Sequence, residues 1–234
     1  MPISNPKDRL IIALDLPSIE DAQHAIDAIG DEGTFYKIGY QLMPIGGLGL
    51  AQRLSDAGKK VFLDFKFHDI GATVERGVAS VAKFGGDFLT VHAEPDVLKG
   101  AVAGRGNDKR LKILGVTVLT SLDQASLTKM GIDMPVADLV LKRAEFAAEA
   151  GADGVVASAK EAAAIKARFG DALNIVTPGV RPAGASADDQ KRIVTPAAAI
   201  ASGADHLVVG RPIIAAKDPM LAARAIQDEI ARAL

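Results

Sequence analysis

VFLDFKFHD, residues 61–69, is the stretch on which the fold turns. Side chains alternate faces along a strand, so Val61, Leu63, Phe65 and Phe67 form one uniformly apolar face, while Asp64 and Lys66 share the other. The apolar face has to be covered by helices. Parallel strands covered by helices normally read as near-continuous apolar runs, so two opposite charges within one strand call for an explanation.

Seven further apolar runs accompany this one: Arg9–Leu16, Phe35–Tyr40, Phe88–Ala93, Ile113–Thr120, Gly154–Ala159, Asn174–Val180 and His206–Ile213. The first four of the eight begin at residues 9, 35, 61 and 88, a spacing of 26, 26 and 27 residues that suits a strand, a helix and two short loops. Helical spacing predicts helices over Ser18–Ile29, Ala72–Phe84, Val136–Ala150 and Pro219–Leu234, the first with Ser18 as N-cap. Gly30, Gly85 and Gly151 fall just past the first three ends, where a left-handed residue stops a helix. Eight alternations of strand and helix imply a closed parallel (β/α)8 TIM barrel, whose usual length is about 250 residues, filling residues 1–234 as one catalytic domain. An open Rossmann sheet fits less well, because Asp15-Leu16-Pro17 stands where a glycine-rich phosphate turn belongs. Arg181–Ile193, rich in Ala, Gly, Asp and Ser, is the segment expected to move.

Composition narrows the function classes. The 234 residues carry 27 Lys+Arg against 29 Asp+Glu, a net charge of −2 that argues against nucleic acid as a partner. Aromatic residues make up only 4% and Trp is absent, so platforms for stacking bases are not expected. With no cysteine, thiol catalysis, disulfides and Cys-ligated metals are excluded. The polar start, Met1 to Arg9, lacks the apolar region of a signal peptide, and no apolar run approaches the ~20 residues of a membrane span. A soluble cytoplasmic protein with no membrane partner is the expectation.

The same parity test places Leu10, Ile12, Leu14 and Leu16 outward and Asp15 inward on the first strand, and Tyr36, Ile38 and Tyr40 outward and Lys37 inward on the second. Asp15, Lys37, Asp64 and Lys66 then converge on the C-terminal rim, where barrel enzymes assemble their sites. Structural ion pairs plugging the barrel are the bland reading of any one of these charges. Four alternating charges at one rim favour a site. Asp69 completes a D-x-K-x-x-D run, and a lysine held cationic by carboxylates suits stabilising a carbanion and then protonating it. Across the barrel, Thr177-Pro178-Gly179-Val180-Arg181-Pro182 and Val209-Gly210-Arg211-Pro212 end the seventh and eighth strands. These loops commonly bind phosphate in barrel enzymes, with glycine admitting backbone N–H groups and arginine offering a bidentate fork. Among His24, His68, His92 and His206, only His92 is placed on an inward face, as a packing residue in preference to a ligand.

ALDLP (13–17), YKIG (36–39), DFKFHDIGATV (64–74), TPGVRP (177–182), DDQKRIVTP (188–196) and VVGRPI (208–213) together resemble the orotidine 5′-phosphate decarboxylase family, in order and over essentially the whole chain. The resemblance implies cofactor-free and metal-free decarboxylation of orotidine monophosphate to UMP, in a homodimer whose sites are completed across the interface. It implies Lys66 as the acid that protonates C6, Asp64 beside the departing carboxylate, and Lys37 and Asp69 completing the charged array. Asp69 and Thr73 would reach the site of the other subunit. Asp15 and Lys37 would hold the ribose, Thr120 and Ser121 the pyrimidine, and Arg181, Gln190, Gly210 and Arg211 the phosphate. Gly71-Ala72 departs from the family's usual Pro-Asn and puts the rigidity of the Asp69 loop in question.

Metal-dependent sugar-phosphate decarboxylases and aldolases of the same barrel superfamily share D-x-K-x-x-D. They use a glutamate near the second strand for magnesium, where Lys37 stands here. A phosphosugar epimerase would need histidines at several strand ends, and a silent scaffold would be expected to have lost part of the charged array.

Overall fold

A computed structural model describes residue 3 and residues 5–182 and 194–234 of the chain. Eight strands, β1 (Leu10–Ala13), β2 (Phe35–Ile38), β3 (Lys60–Phe67), β4 (Phe88–His92), β5 (Lys112–Val116), β6 (Gly154–Val156), β7 (Asn174–Thr177) and β8 (His206–Val209), pair in sequence order. All pairings are parallel and β1 closes on β8, with Leu10 opposite Leu207 and Ile12 opposite Val209. The expected TIM barrel is therefore the observed one.

One principal helix follows each strand: α1 (Ile19–Ile29), α2 (Gly47–Asp56), α3 (Gly71–Val81), α4 (Pro95–Arg105), α5 (Val136–Glu149), α6 (Ala159–Phe169), α7 (Pro196–Ala201) and α8 (Pro219–Ala231). Ser18 caps α1 by accepting the N–H of Asp21 at 3.0 Å, and Gly30 ends it at φ +58°. Gly85 and Gly151 are left-handed at φ +79° and +75°, as their positions in the sequence require. Helices α2, α4 and α6 were not marked by periodicity; of the three, α6 is the poorest in bulky apolar residues, with only Ile165 and Phe169 among its eleven.

Two cores result from the strand alternation. Leu10, Ile12, Leu14, Tyr36, Ile38, Val61, Leu63 and Phe65 face the helices. Ile11, Ala13, Phe35, Phe62, Phe88, Leu114, Val176 and Val208 fill the barrel itself. Burying each of the larger side chains stabilises the fold by about 1.5–3 kcal/mol. Phe88 meets Phe35 and Phe62 edge to face, with centroids 5.0 and 5.9 Å apart. The barrel interior is thus apolar beneath and charged at its C-terminal mouth.

Two expectations are corrected. Tyr40 does not face the helices: β2 ends at Ile38, alternation lapses, and Tyr40 is exposed with its ring 5.4 Å from Lys66 Nζ. His92 is not alone in facing inward, because His206 shares the parity of Val208 and packs edge-on against Phe35 and Phe88. Residues 183–193, most of the segment expected to move, lie outside the described residues, and Gln190 with them.

Candidate active site

Asp15, Lys37, Asp64 and Lys66 form one chain of contacts across three strand ends. Lys37 Nζ lies 2.8 Å from Asp15 Oδ1 and 3.7 Å from Asp64 Oδ2, and Lys66 Nζ lies 2.8 Å from Asp64 Oδ1. The Lys37 side chain is only 9% exposed, whereas that of Asp15, at the outer end of the chain, is 53% exposed. Burial opposes ionisation of Asp64, but the Lys37 and Lys66 ammonium groups outweigh it. Hydrogen bonds from Lys66 and Thr90 add to their effect and hold the carboxyl below its ordinary range. Burial and the charge of Asp64 together push the Tyr40 phenol up.

The backbone is irregular where these charges meet. Lys66 has φ +44°, the one positive φ among described non-glycine residues, and the β3–β4 register shifts between Leu63 and Phe67. Such a backbone costs on the order of 1–3 kcal/mol and persists only where surrounding contacts hold it. Thr90 on β4 supplies two of them: its hydroxyl accepts the Lys66 N–H at 3.0 Å and donates to Asp64 Oδ1 at 2.9 Å.

Two adjoining cavities open at this mouth. One is walled by Phe62, Val116, Val118, Leu119, Val156 and Ala157, with Thr120, Ser121 and the Lys37, Asp64 and Lys66 charges. A flat, mostly apolar group with polar edges fits such a lining. The other is bounded by Asp15, Lys37 and Asp64 on one side and by Pro178, Gly179, Arg181, Gly210 and Arg211 on the other. Lys37, Asp64, Pro178 and Val208 border both cavities, so a bound molecule can span them. Arg181 is 7% exposed; its N–H donates to Val194 O at 2.9 Å and its Nη1 to Val180 O at 3.0 Å. Gly210 caps the short helix Arg211–Ile214.

Within one chain Asp69 and Thr73 are not brought to the Lys66 cavity. Both are exposed, and Asp69 Oδ1 accepts the N–H of Ile70 at 2.7 Å. Asp69 borders a separate depression with His68, Ile70 and Glu94. There His68 Nε2 lies 3.1 Å from Glu94 Oε1, and the His68 ring stacks on His92 with centroids 4.6 Å apart. Among the described residues, His68, His92 and Glu94 are the group whose ligand-type atoms come close enough together to hold a metal, and it lies outside the charged mouth. Burial and the neighbouring His68 lower the pKa of His92.

Sequence reasoning missed Thr90 and Tyr40. Thr90 carries a signal in retrospect, a hydroxyl at inward parity between Phe88 and His92. Tyr40 carries none, since it lies beyond the last paired residue of β2.

A family model described as orotidine 5′-phosphate decarboxylase / HUMPS family matches residues 8–226. The chain belongs to this family. An orotidine 5′-phosphate decarboxylase of Afipia carboxidovorans is 58% identical to it over 229 residues, which cover 97% of each chain. One from Rhodopseudomonas palustris strain BisA53 is 58% identical over 224 residues, covering 96% of this chain and 95% of the relative. The crystal structure of the orotidine 5′-phosphate decarboxylase of Lactobacillus acidophilus superposes with a TM-score of 0.83 at 36% identity, over 94% of this chain and 98% of the other. In this member of the orotidine 5′-phosphate decarboxylase / HUMPS family the Lys37 ammonium lies between the Asp15 and Asp64 carboxylates.

Proposed function

We propose that this chain is an orotidine 5′-phosphate decarboxylase, a carbon–carbon lyase that converts orotidine monophosphate to UMP and CO2 in pyrimidine biosynthesis. Residues 1–234 act in this reading as one barrel domain, working in the cytoplasm with no membrane or nucleic-acid partner. The observation that supports it most is the Asp15–Lys37–Asp64–Lys66 chain at the barrel mouth, beside one cavity suited to a pyrimidine and another flanked by Arg181 and Arg211.

When the C6–CO2 bond breaks, its electron pair stays on C6 in an in-plane orbital that the ring delocalises poorly. Lys66 meets that charge and gives C6 a proton; the amine is reprotonated from solvent. An ammonium about 4 Å from a unit negative charge stabilises it by roughly 4 kcal/mol at an effective dielectric near 20, and by more once water is excluded. Asp64, paired with Lys66 Nζ at 2.8 Å, crowds the substrate carboxylate, which favours its departure. Asp15 and Lys37 hold the ribose, Thr120 and Ser121 the pyrimidine edge, and Arg181, Gln190, Gly210 and Arg211 the phosphate. Grip on the phosphate, remote from C6, supplies binding energy that serves orientation and desolvation at the reacting carbon. Asp69 and Thr73, turned away from their own mouth, complete the site of a second copy in a homodimer. No cofactor or metal has a role in this scheme.

Purified protein mixed with orotidine monophosphate, followed by loss of ultraviolet absorbance in EDTA, tests the reading. Turnover that is indifferent to EDTA is expected. Turnover only with a divalent metal, or on a sugar phosphate in place of the nucleotide, overturns it.

A further inference from the structure

Along β3 and β4 the ladder pairs Phe62 with Phe88 and Leu63 with Leu89, then resumes with Phe67 opposite Val91. Asp64, Phe65 and Lys66 therefore stand against Thr90 alone. The surplus backbone is taken up at Lys66, in its left-handed conformation. Ordinary strand hydrogen bonding is interrupted at the point where the two functional side chains emerge. Thr90 is 0% exposed and lines neither cavity.

We propose that Thr90 is the positioning residue of the Asp64–Lys66 pair, its hydroxyl replacing the missing ladder contacts. One oxygen serves both ends. The Lys66 backbone N–H is necessarily a donor, so the hydroxyl accepts there at 3.0 Å and its single proton goes to Asp64 Oδ1 at 2.9 Å. Asp64 Oδ1 then receives both the Thr90 proton and the Lys66 ammonium at 2.8 Å, while Oδ2 is turned toward Lys37. Rotation of the carboxylate and the direction of the lysine stem are thereby fixed by a group that meets no substrate. Valine would fill the same space and suit the strand equally well, but offers neither contact.

This inference rests on the reading of Lys66 as proton donor, and the test separates the two. Steady-state kinetics on orotidine monophosphate are measured for the parent, Thr90→Val and Thr90→Ser, together with a crystal structure of Thr90→Val. Thr90→Val is expected to lower kcat by about 10- to 100-fold with KM changed by less than about threefold, and Thr90→Ser to restore most of kcat. In the crystal, Lys66 Nζ is expected to have left Asp64 Oδ1. Parent-like kcat in Thr90→Val, a serine variant as slow as the valine one, or an undisturbed Lys66 overturns the inference. If the valine variant does not fold, Thr90→Ala, which adds no atoms, takes its place under the same criteria. A parent inactive on the nucleotide refutes the proposed function, and the crystal comparison still decides the role of Thr90.

Discussion

Lys66 Nζ meets Asp64 Oδ1 at 2.8 Å although the two residues leave the same strand with only Phe65 between them. Residues two apart in a regular strand emerge roughly 6.6 Å from each other with side chains side by side. Left-handed backbone at Lys66 and the shifted β3–β4 register accompany this close contact. The carboxylate that holds the cation is thus built into the same strand as the cation, and the second cation, Lys37, comes from the neighbouring strand.

Phosphate recognition is expected to be separable from chemistry. Arg211→Ala removes a charge-assisted contact worth roughly 1.5–3 kcal/mol, so kcat/KM for orotidine monophosphate falls by about 10- to 100-fold. Decarboxylation of the phosphate-free nucleoside orotidine stays at the parent rate. Parallel kinetics on both compounds check this, and equal losses would remove Arg211 from the phosphate site.

His206 makes stability sensitive to acid. Its Nδ1 sits 3.0 Å from the Asp8 carbonyl, and burial, with Lys112, Lys60 and Arg9 nearby, drives its pKa down to about 3. The unfolded chain protonates this residue near the ordinary value of about 6.5, whereas the folded chain does not until about pH 3. Between those values the unfolded state binds the extra proton, so His206 contributes a stability loss of up to about 1.4 kcal/mol per unit of falling pH. Urea unfolding at pH 7, 6 and 5 is expected to show a shallower acid decline in His206→Gln than in the parent. Parallel declines would mean that the ring is not buried neutral.

Glycine sets the spacing of the helices behind the Asp69 loop. A Cβ at Gly100 would stand 2.3 Å from Gly71 O, and one at Gly104 would stand 2.3 Å from Glu75 O. Helices α3 and α4 therefore touch backbone to backbone, and Gly71 has a packing reason of its own, since a Cβ there would stand 2.8 Å from Asp96 O. Gly104→Ala is expected to cost about 1–3 kcal/mol through overpacking, a loss of several degrees in Tm. A thermal melt unchanged from the parent would show that the two helices separate freely.

Much of this was legible because strand parity is a strict rule. Alternation in residues 61–67 separated the helix-facing side chains from Asp64 and Lys66, and the same rule placed Lys37; Asp15, two residues past the end of β1, kept its parity because the Leu14 N–H still donates to Lys37 O at 2.9 Å. Legibility ended where alternation did. Tyr40 lies beyond the last paired residue of β2, so its place beside Lys66 depends on a loop conformation that no periodicity encodes. The kink at Lys66 was invisible for a related reason: register depends on the partner strand, and the function of Thr90 exists only once β4 lies against β3. His206 was misplaced because one polar residue at the start of an apolar run reads as a strand end, although its parity with Val208 points it inward.

The central claim, that Lys66 is the acid beside a carbanion at C6, is tested most directly by the turnover of Lys66→Ala on orotidine monophosphate, with UMP binding measured on the same preparation. Loss of the ammonium's roughly 4 kcal/mol predicts a fall of at least about a thousandfold in kcat, with UMP affinity still measurable. Turnover within about tenfold of the parent, at undiminished UMP affinity, would contradict it.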